Sequence, residues 1–315
     1  MPQSFEDFAG AWPMRQARSA RGEQSLHFLI LGQRVEISCA APSARALLTA
    51  NFGAMAVAKN DGRAPELRYT VDCTATGFSV AREGHEPITG VGPSDLLYVL
   101  EKDLTVEVQR RRPELLFLHS AAVEWEGKAY LFAAESGSGK STTTWALLCH
   151  GFGYLSDELS PIDLDSLVVL AYPHALCLKR APTVPYELPE RAIHLGRTIH
   201  VPAESLPGPA GRTPQPIGAV FLLRHRAGLN RPHLRKLGRA EASARLYVTA
   251  LNLLAHPTHG LDAVMRIAEQ APCFALDSAD LPSTCALVRS AVSQSAAQQH
   301  TALREARTVE RLRLR

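Results

Sequence analysis

Between His27 and Cys39 the segment "HFLILGQRVEISC" alternates and clusters apolar residues with the period of a strand, and Gly32 and Gln33 interrupt it, which predicts a hairpin. "APSARALLTANFGAM" then changes to helical spacing, and "LRYTVDCTATGFSVARE" returns to strand alternation around a Thr-Gly turn. Residues 1 to about 25 are polar and without periodicity, so the first hundred residues read as a small α+β unit. A helix follows from Ser94, placed to cap it, through apolar residues three and four apart until Pro113 ends it. "LLFLHSAAVEWEGKAYLFAA" reads as two strands around the turn "EG".

From there to about residue 290 strands and helices are expected to alternate, as an α/β core requires. Pro202, Pro207, Pro209, Pro214 and Pro216 mark a loop that no helix or central strand absorbs, either a lid or a connector. "GAVFLLRHR" is a buried strand and "AEASARLYVTALNLLAH" an amphipathic helix. The division expected is a domain over 1–105, a catalytic domain over 106–290 and a charged tail over 291–315, where five arginines leave little for a core.

Composition removes several classes. The 34 basic and 31 acidic residues leave a formal charge of +3, too mild to imply nucleic acid. Six cysteines stand singly, without a CxxC pair, which argues against a zinc site or disulfide framework. No secretory leader and no apolar run of membrane-spanning length is evident, so a cytoplasmic protein without a membrane partner is expected.

The chemistry concentrates in "FAAESGSGKSTTTWALL". Gly139, Lys140 and Ser141 complete a phosphate-binding loop, in which consecutive backbone N–H groups curl around phosphate oxygens at a helix N-terminus. Ala134 takes the place of the pattern's first glycine, while Gly137 adds conformational freedom. The nucleotide-binding residues expected are Ser136, Gly137, Ser138, Gly139, Lys140, Ser141 and Thr142, with Lys140 on the β- and γ-phosphates of ATP and Ser141 on Mg²⁺.

"GYLSDELSPID" brings Asp157 and Glu158 soon after the loop, with room between for one short helix, a turn and a strand. Phosphoryl transfer to a hydroxyl needs a carboxylate to accept the proton and an acidic group near the metal. Asp157 suits the first role and Glu158 the second, although neighbours on a strand point to opposite faces. No LSGGQ-like signature follows, which disfavours a transporter-type ATPase, and no G-x-S-x-G elbow suggests a hydrolase. Lys179, Arg180, Arg224 and Arg226 are further candidates for holding phosphate or substrate, whereas core packing explains Trp145.

Taken in order, "FLHSAAVEWEGKAYLFAAESGSGKSTTTWALLCHGFGYLSDELSPID" resembles the HPr kinase/phosphorylase family, whose loop is of the phosphoenolpyruvate carboxykinase type. The resemblance covers residues 117 to 163 and implies a P-loop kinase core, α/β in its catalytic part and α+β overall, in a homo-oligomer. It makes His119 an active-site histidine, Lys140 a catalytic residue and Asp157 the acid/base. Glu158 and Ser120 depart from the family's Asp and Gly, and its Glu-x-Arg-Gly-x-Gly signature has no counterpart, so kinase chemistry carries over better than phosphorolysis. The reading is an ATP- and Mg²⁺-dependent kinase acting on a hydroxyl, expected to be serine, of a small protein or peptide. A nucleotide-binding regulatory scaffold or slow ATPase, and a small-molecule kinase, stay open.

Overall fold

The computed structural model describes residues 25–59, 63–74 and 76–293, and shows a mixed α+β protein with three sheets. The polar N-terminal segment and the arginine-rich end of the tail lie outside the described residues. The chain forms two compact units. One runs to Pro113 and takes in Ala171–Gly211; the other comprises Glu114–Leu170 and the chain from Arg212 onward.

In the first unit β1 (Ser25–Ile30) and β2 (Gln33–Cys39) form the expected hairpin. Its turn residues are Leu31 and Gly32, both at positive φ, one position earlier than the sequence suggested; this geometry matches the twist of the strands it joins. The helix α1 (Pro42–Phe52) follows, then β3 (Leu67–Cys73), β4 (Phe78–Arg82) and β5 (Ile88–Gly90), giving a five-stranded sheet in sequence order. The helix α2 (Pro93–Arg111) runs unbroken across the 105/106 boundary drawn from the sequence.

Three strands, rather than two, lie between Pro113 and the glycine-rich loop at 134–139: β6 (Leu115–Leu118), β7 (Ser120–Trp125) and β8 (Lys128–Ala133). The extra break is at His119. Here the chain changes partner: β6 pairs with β10 (Ser160–Asp163), whereas β7 pairs with β8 and with β9 (Gly153–Ser156). The short β11 (Val168–Val169) ends this segment. The first unit then receives β12 (Leu176–Leu178), β13 (Ile193–Leu195) and β14 (Thr198–Val201) as a separate three-stranded sheet.

The second unit is completed by β15 (Gln215–His225), β16 (His233–Lys236) and β17 (Cys273–Ser278). Its nine-stranded sheet has the order β6-β10-β11-β15-β8-β7-β9, with β17 and then β16 branching from β15. The expected alternation of strands and helices fails, because no α-helix intervenes from β9 to β15. Pro216 lies inside β15, contrary to the loop reading: it is the strand's second residue, opposite Val168, beside a register irregularity where a missing N–H breaks no regular ladder.

Phe132, Phe221 and Phe274, on the neighbouring parallel strands β8, β15 and β17, stack with centroids 4.9 and 5.5 Å apart, the first two fully buried in the core and Phe274 half-buried. The helices α3 (Lys140–Cys149), α4 (Arg239–Tyr247) and α5 (Leu261–Gln270), with a helical stretch over 281–293, belong to the same unit. The helix expected to run through "AEASARLYVTALNLLAH" stops at Tyr247. From there the backbone is captured by the edge of β6: Leu251 N–H donates to Phe117, and the Asn252 side chain accepts from Phe117 N–H (3.0 Å) and donates to Leu115 C=O (2.8 Å). An otherwise open sheet edge is thereby paired.

Candidate phosphate-transfer site

Strand directions bring the expected residues to one edge of the sheet. β7 is antiparallel to both β8 and β9, so β8 and β9 run the same way, and β15 and β17 are parallel to β8. Register pairs Ser120 with Ala133, Leu222 with Ala133, and Ala122 with Ser156. The start of β7, carrying His119, therefore lies with the ends of β8 and β9, which lead into the loop and into Asp157.

The loop from Ala134 to Gly139 turns through a hydrogen bond from Ser138 N–H to Glu135 C=O, with Gly137 and Gly139 at φ +85° and +87°. Those two left-handed positions are where glycine is required. Ala134, the substitution noted in the motif, is buried and outside the positive-φ set, so its methyl group strains nothing. Ser136 and Gly137 are exposed; Ser138, Gly139, Ser141 and Thr142 are half-buried. Gly139 begins α3 with no side chain capping it, so the helix presents backbone donors and its positive dipole end at the loop.

Lys140 is the exceptional residue. It is 8% exposed, and its Nζ has no hydrogen-bond partner within the protein. An ammonium in that position is costly unless an anion compensates it, and a phosphate at a helix N-terminus is such an anion.

His119 is half-buried, and its backbone N–H donates to Thr249 C=O at 2.7 Å. Burial and then the neighbouring Lys140 ammonium push its imidazole below the ordinary range, while the Glu158 carboxylate and a hydrogen bond to the Glu158 backbone oppose them. Asp157 is fully buried and Glu158 exposed, the opposite orientations expected of adjacent residues leaving a strand. No protein-family model matches the chain, and no curated protein matches it. Function therefore rests on this geometry.

Four groups were not foreseen as part of the site. The hydroxyls of Ser120 and Ser156 are buried without partners, next in sequence to His119 and Asp157. His225 has its Cβ 3.8 Å from where a Cβ on Gly139 would stand, and its Nδ1 is 3.3 Å from Ser278 Oγ. Nothing in a single sequence marks them, because long-range strand pairing brings them here. Arg224 and Arg226, which the sequence did single out, are exposed and share Asp277 through Nε at 3.1 Å each. Lys179 and Arg180 are exposed residues of the first unit.

A nucleotide triphosphate fits the buried unpartnered ammonium and the uncapped helix. For Mg²⁺, Ser141 and Glu158 are the candidate ligands, one half-buried and one exposed. Among the described residues no three His, Cys, Asp or Glu side chains gather as a ligand group. Few protein ligands suit Mg²⁺, which commonly takes one or two carboxylates together with substrate phosphates and water. Among the described residues no helix is long and apolar enough to cross a membrane.

Proposed function

We propose that this protein is an ATP-dependent kinase that moves the γ-phosphate to a hydroxyl, serine being the simplest acceptor, on a small protein or peptide. The observation that carries the reading is the buried Lys140 ammonium, without a protein partner, behind two left-handed glycines at the start of a helix. The acids and His119 at the same sheet edge favour transfer over binding alone.

In this reading Lys140 and the N–H groups from Gly137 to Thr142 hold the triphosphate and stabilise charge on the transferred group. Mg²⁺, held by Ser141 and Glu158, would supply further neutralisation of the phosphates. Asp157 accepts the proton of the acceptor hydroxyl as the oxygen attacks, and its burial keeps competing water away from that proton. His119, kept neutral by burial and Lys140, orients the acceptor and adds no positive charge to compete with Lys140 for phosphate.

The test is transfer of labelled γ-phosphate to acceptors in a fractionated extract. Lys140→Ala is expected to abolish labelling; Asp157→Asn is expected to abolish it while nucleotide binding survives. Undiminished labelling in Lys140→Ala refutes the proposal.

A further inference from the structure

We infer that the second unit docks its acceptor on a basic and apolar face starting beside the phosphate loop, and that this acceptor is an acidic polypeptide segment with apolar side chains; the word acceptor rests on the kinase reading above. From Arg224 to Arg245 the chain carries seven Arg or Lys residues and a single acid, Glu241. All seven basic residues are exposed. The chain as a whole has a formal charge of only +3, so this one segment holds more positive charge than the entire protein shows.

Its ion pairs leave the excess in place. Arg224 and Arg226 share Asp277, and Arg235 and Arg245 share Glu241, so each carboxylate faces two guanidinium groups. Arg231, Lys236 and Arg239 have no carboxylate within ion-pair distance among the described residues. Such a surface attracts carboxylates, and arginine's planar fork recognises them bidentately.

The segment is anchored at the site: His225 lies against Gly139, and the strand that carries it runs parallel to the strand entering the loop. It continues into a second feature of the same unit. Val248 and Leu254 are 81% and 87% exposed, and Leu251, Leu261 and Met265 are exposed as well. This apolar stretch is tied to the site by the bond from His119 N–H to Thr249 C=O. A basic segment that runs directly into exposed apolar side chains has the composition of a protein-binding surface. Between Arg224 and Arg245 there is no Phe, Tyr or Trp on which a nucleic-acid base would stack, which favours a polypeptide.

The full-length protein would be titrated into a short fluorescein-labelled peptide that alternates Asp and Glu with Leu and contains one Ser, and separately into a labelled single-stranded oligonucleotide, with fluorescence anisotropy as the readout. The peptide is expected to bind, more weakly as salt rises. The triple variant Arg231→Glu, Lys236→Glu, Arg239→Glu is expected to lose about tenfold in affinity. Leu254→Ser, away from the basic cluster, is expected to lose several-fold. Absence of peptide binding, an unchanged affinity in a triple variant that melts like the wild type, or tighter binding of the oligonucleotide overturns the inference. Should the triple variant fail to fold, Arg231→Glu and Leu254→Ser carry the same test. Binding of a fluorescent ATP analogue to the same samples separates the two ideas. Nucleotide binding without peptide binding removes only the docking face, and peptide binding without nucleotide binding removes only the kinase reading.

Discussion

Replacing Lys140 with Met should strengthen the nucleotide-free protein while destroying its response to nucleotide. Methionine has similar length and no charge, so the buried methylenes keep their packing and the unpartnered ammonium disappears. The effective penalty for burying one ion is several kcal/mol after relaxation, of which we expect about 1–3 kcal/mol to be recovered at a site that retains 8% exposure. At about 2–4 °C per kcal/mol for domains of this size, the melting temperature should rise by about 2–12 °C. Wild type should gain about 4.1 kcal/mol from Mg·ATP at roughly one thousand times Kd, and the variant nothing. The two proteins should therefore exchange rank when nucleotide is added, which differential scanning fluorimetry with and without Mg·ATP would show. A variant less stable than wild type without nucleotide would mean that the ammonium serves the fold, and the phosphate argument would fail.

Asn252→Ala removes both side-chain bonds to β6 and leaves the buried Phe117 N–H and Leu115 C=O without that partner, a loss of about 2–4 kcal/mol measurable by urea unfolding. Gly139→Ala makes only an ordinary contact with His225 Cβ (3.8 Å) but forces a residue with a Cβ to φ +87°, at a cost of about 1–2 kcal/mol with loss of nucleotide binding; Gly127→Ala, at φ +75° in the β7–β8 turn, should cost about as much stability and leave binding intact. His119 and His256 are both held below their ordinary pKa by burial, so the unfolded chain takes up protons that the folded protein refuses. Stability should then fall as pH drops below about 6.5, the unfolded value, with the decline continuing to the lower folded pKa values, and His119→Gln should flatten part of that slope in melts recorded against pH.

Much of the site was legible because it is local. Gly137, Gly139, Lys140 and Ser141 stand together in the sequence, and their strand and helix neighbours set the loop. Asp157 and Glu158 came from the spacing after it. What escaped depends on partners distant in sequence. His119 entered through the family resemblance, but the break in the strand there shows only in the change of partner, from β10 for β6 to β8 and β9 for β7. "AEASARLYVTALNLLAH" has helical spacing throughout, yet Asn252 and Leu251 gain more by pairing with the edge of β6 than by continuing the helix. Pro216 looked like a loop residue because its tolerance inside β15 depends on a two-residue neighbour strand. The alternation expected of a parallel α/β core gave way to antiparallel pairs that need no helical crossover.

The division of the chain has a consequence for synthesis. The backbone passes from one unit to the other after Pro113, after Leu170 and again after Gly211, so neither unit is a continuous stretch. A ribosome releases the phosphate loop long before β15, the parallel neighbour of the strand that leads into it, has been made. A fragment ending at Pro113 lacks β12, β13 and β14, and a fragment starting at Glu114 must loop out Ala171–Gly211. Neither half can be cut from the gene as a simple piece, and the two are expected to mature together near the end of translation.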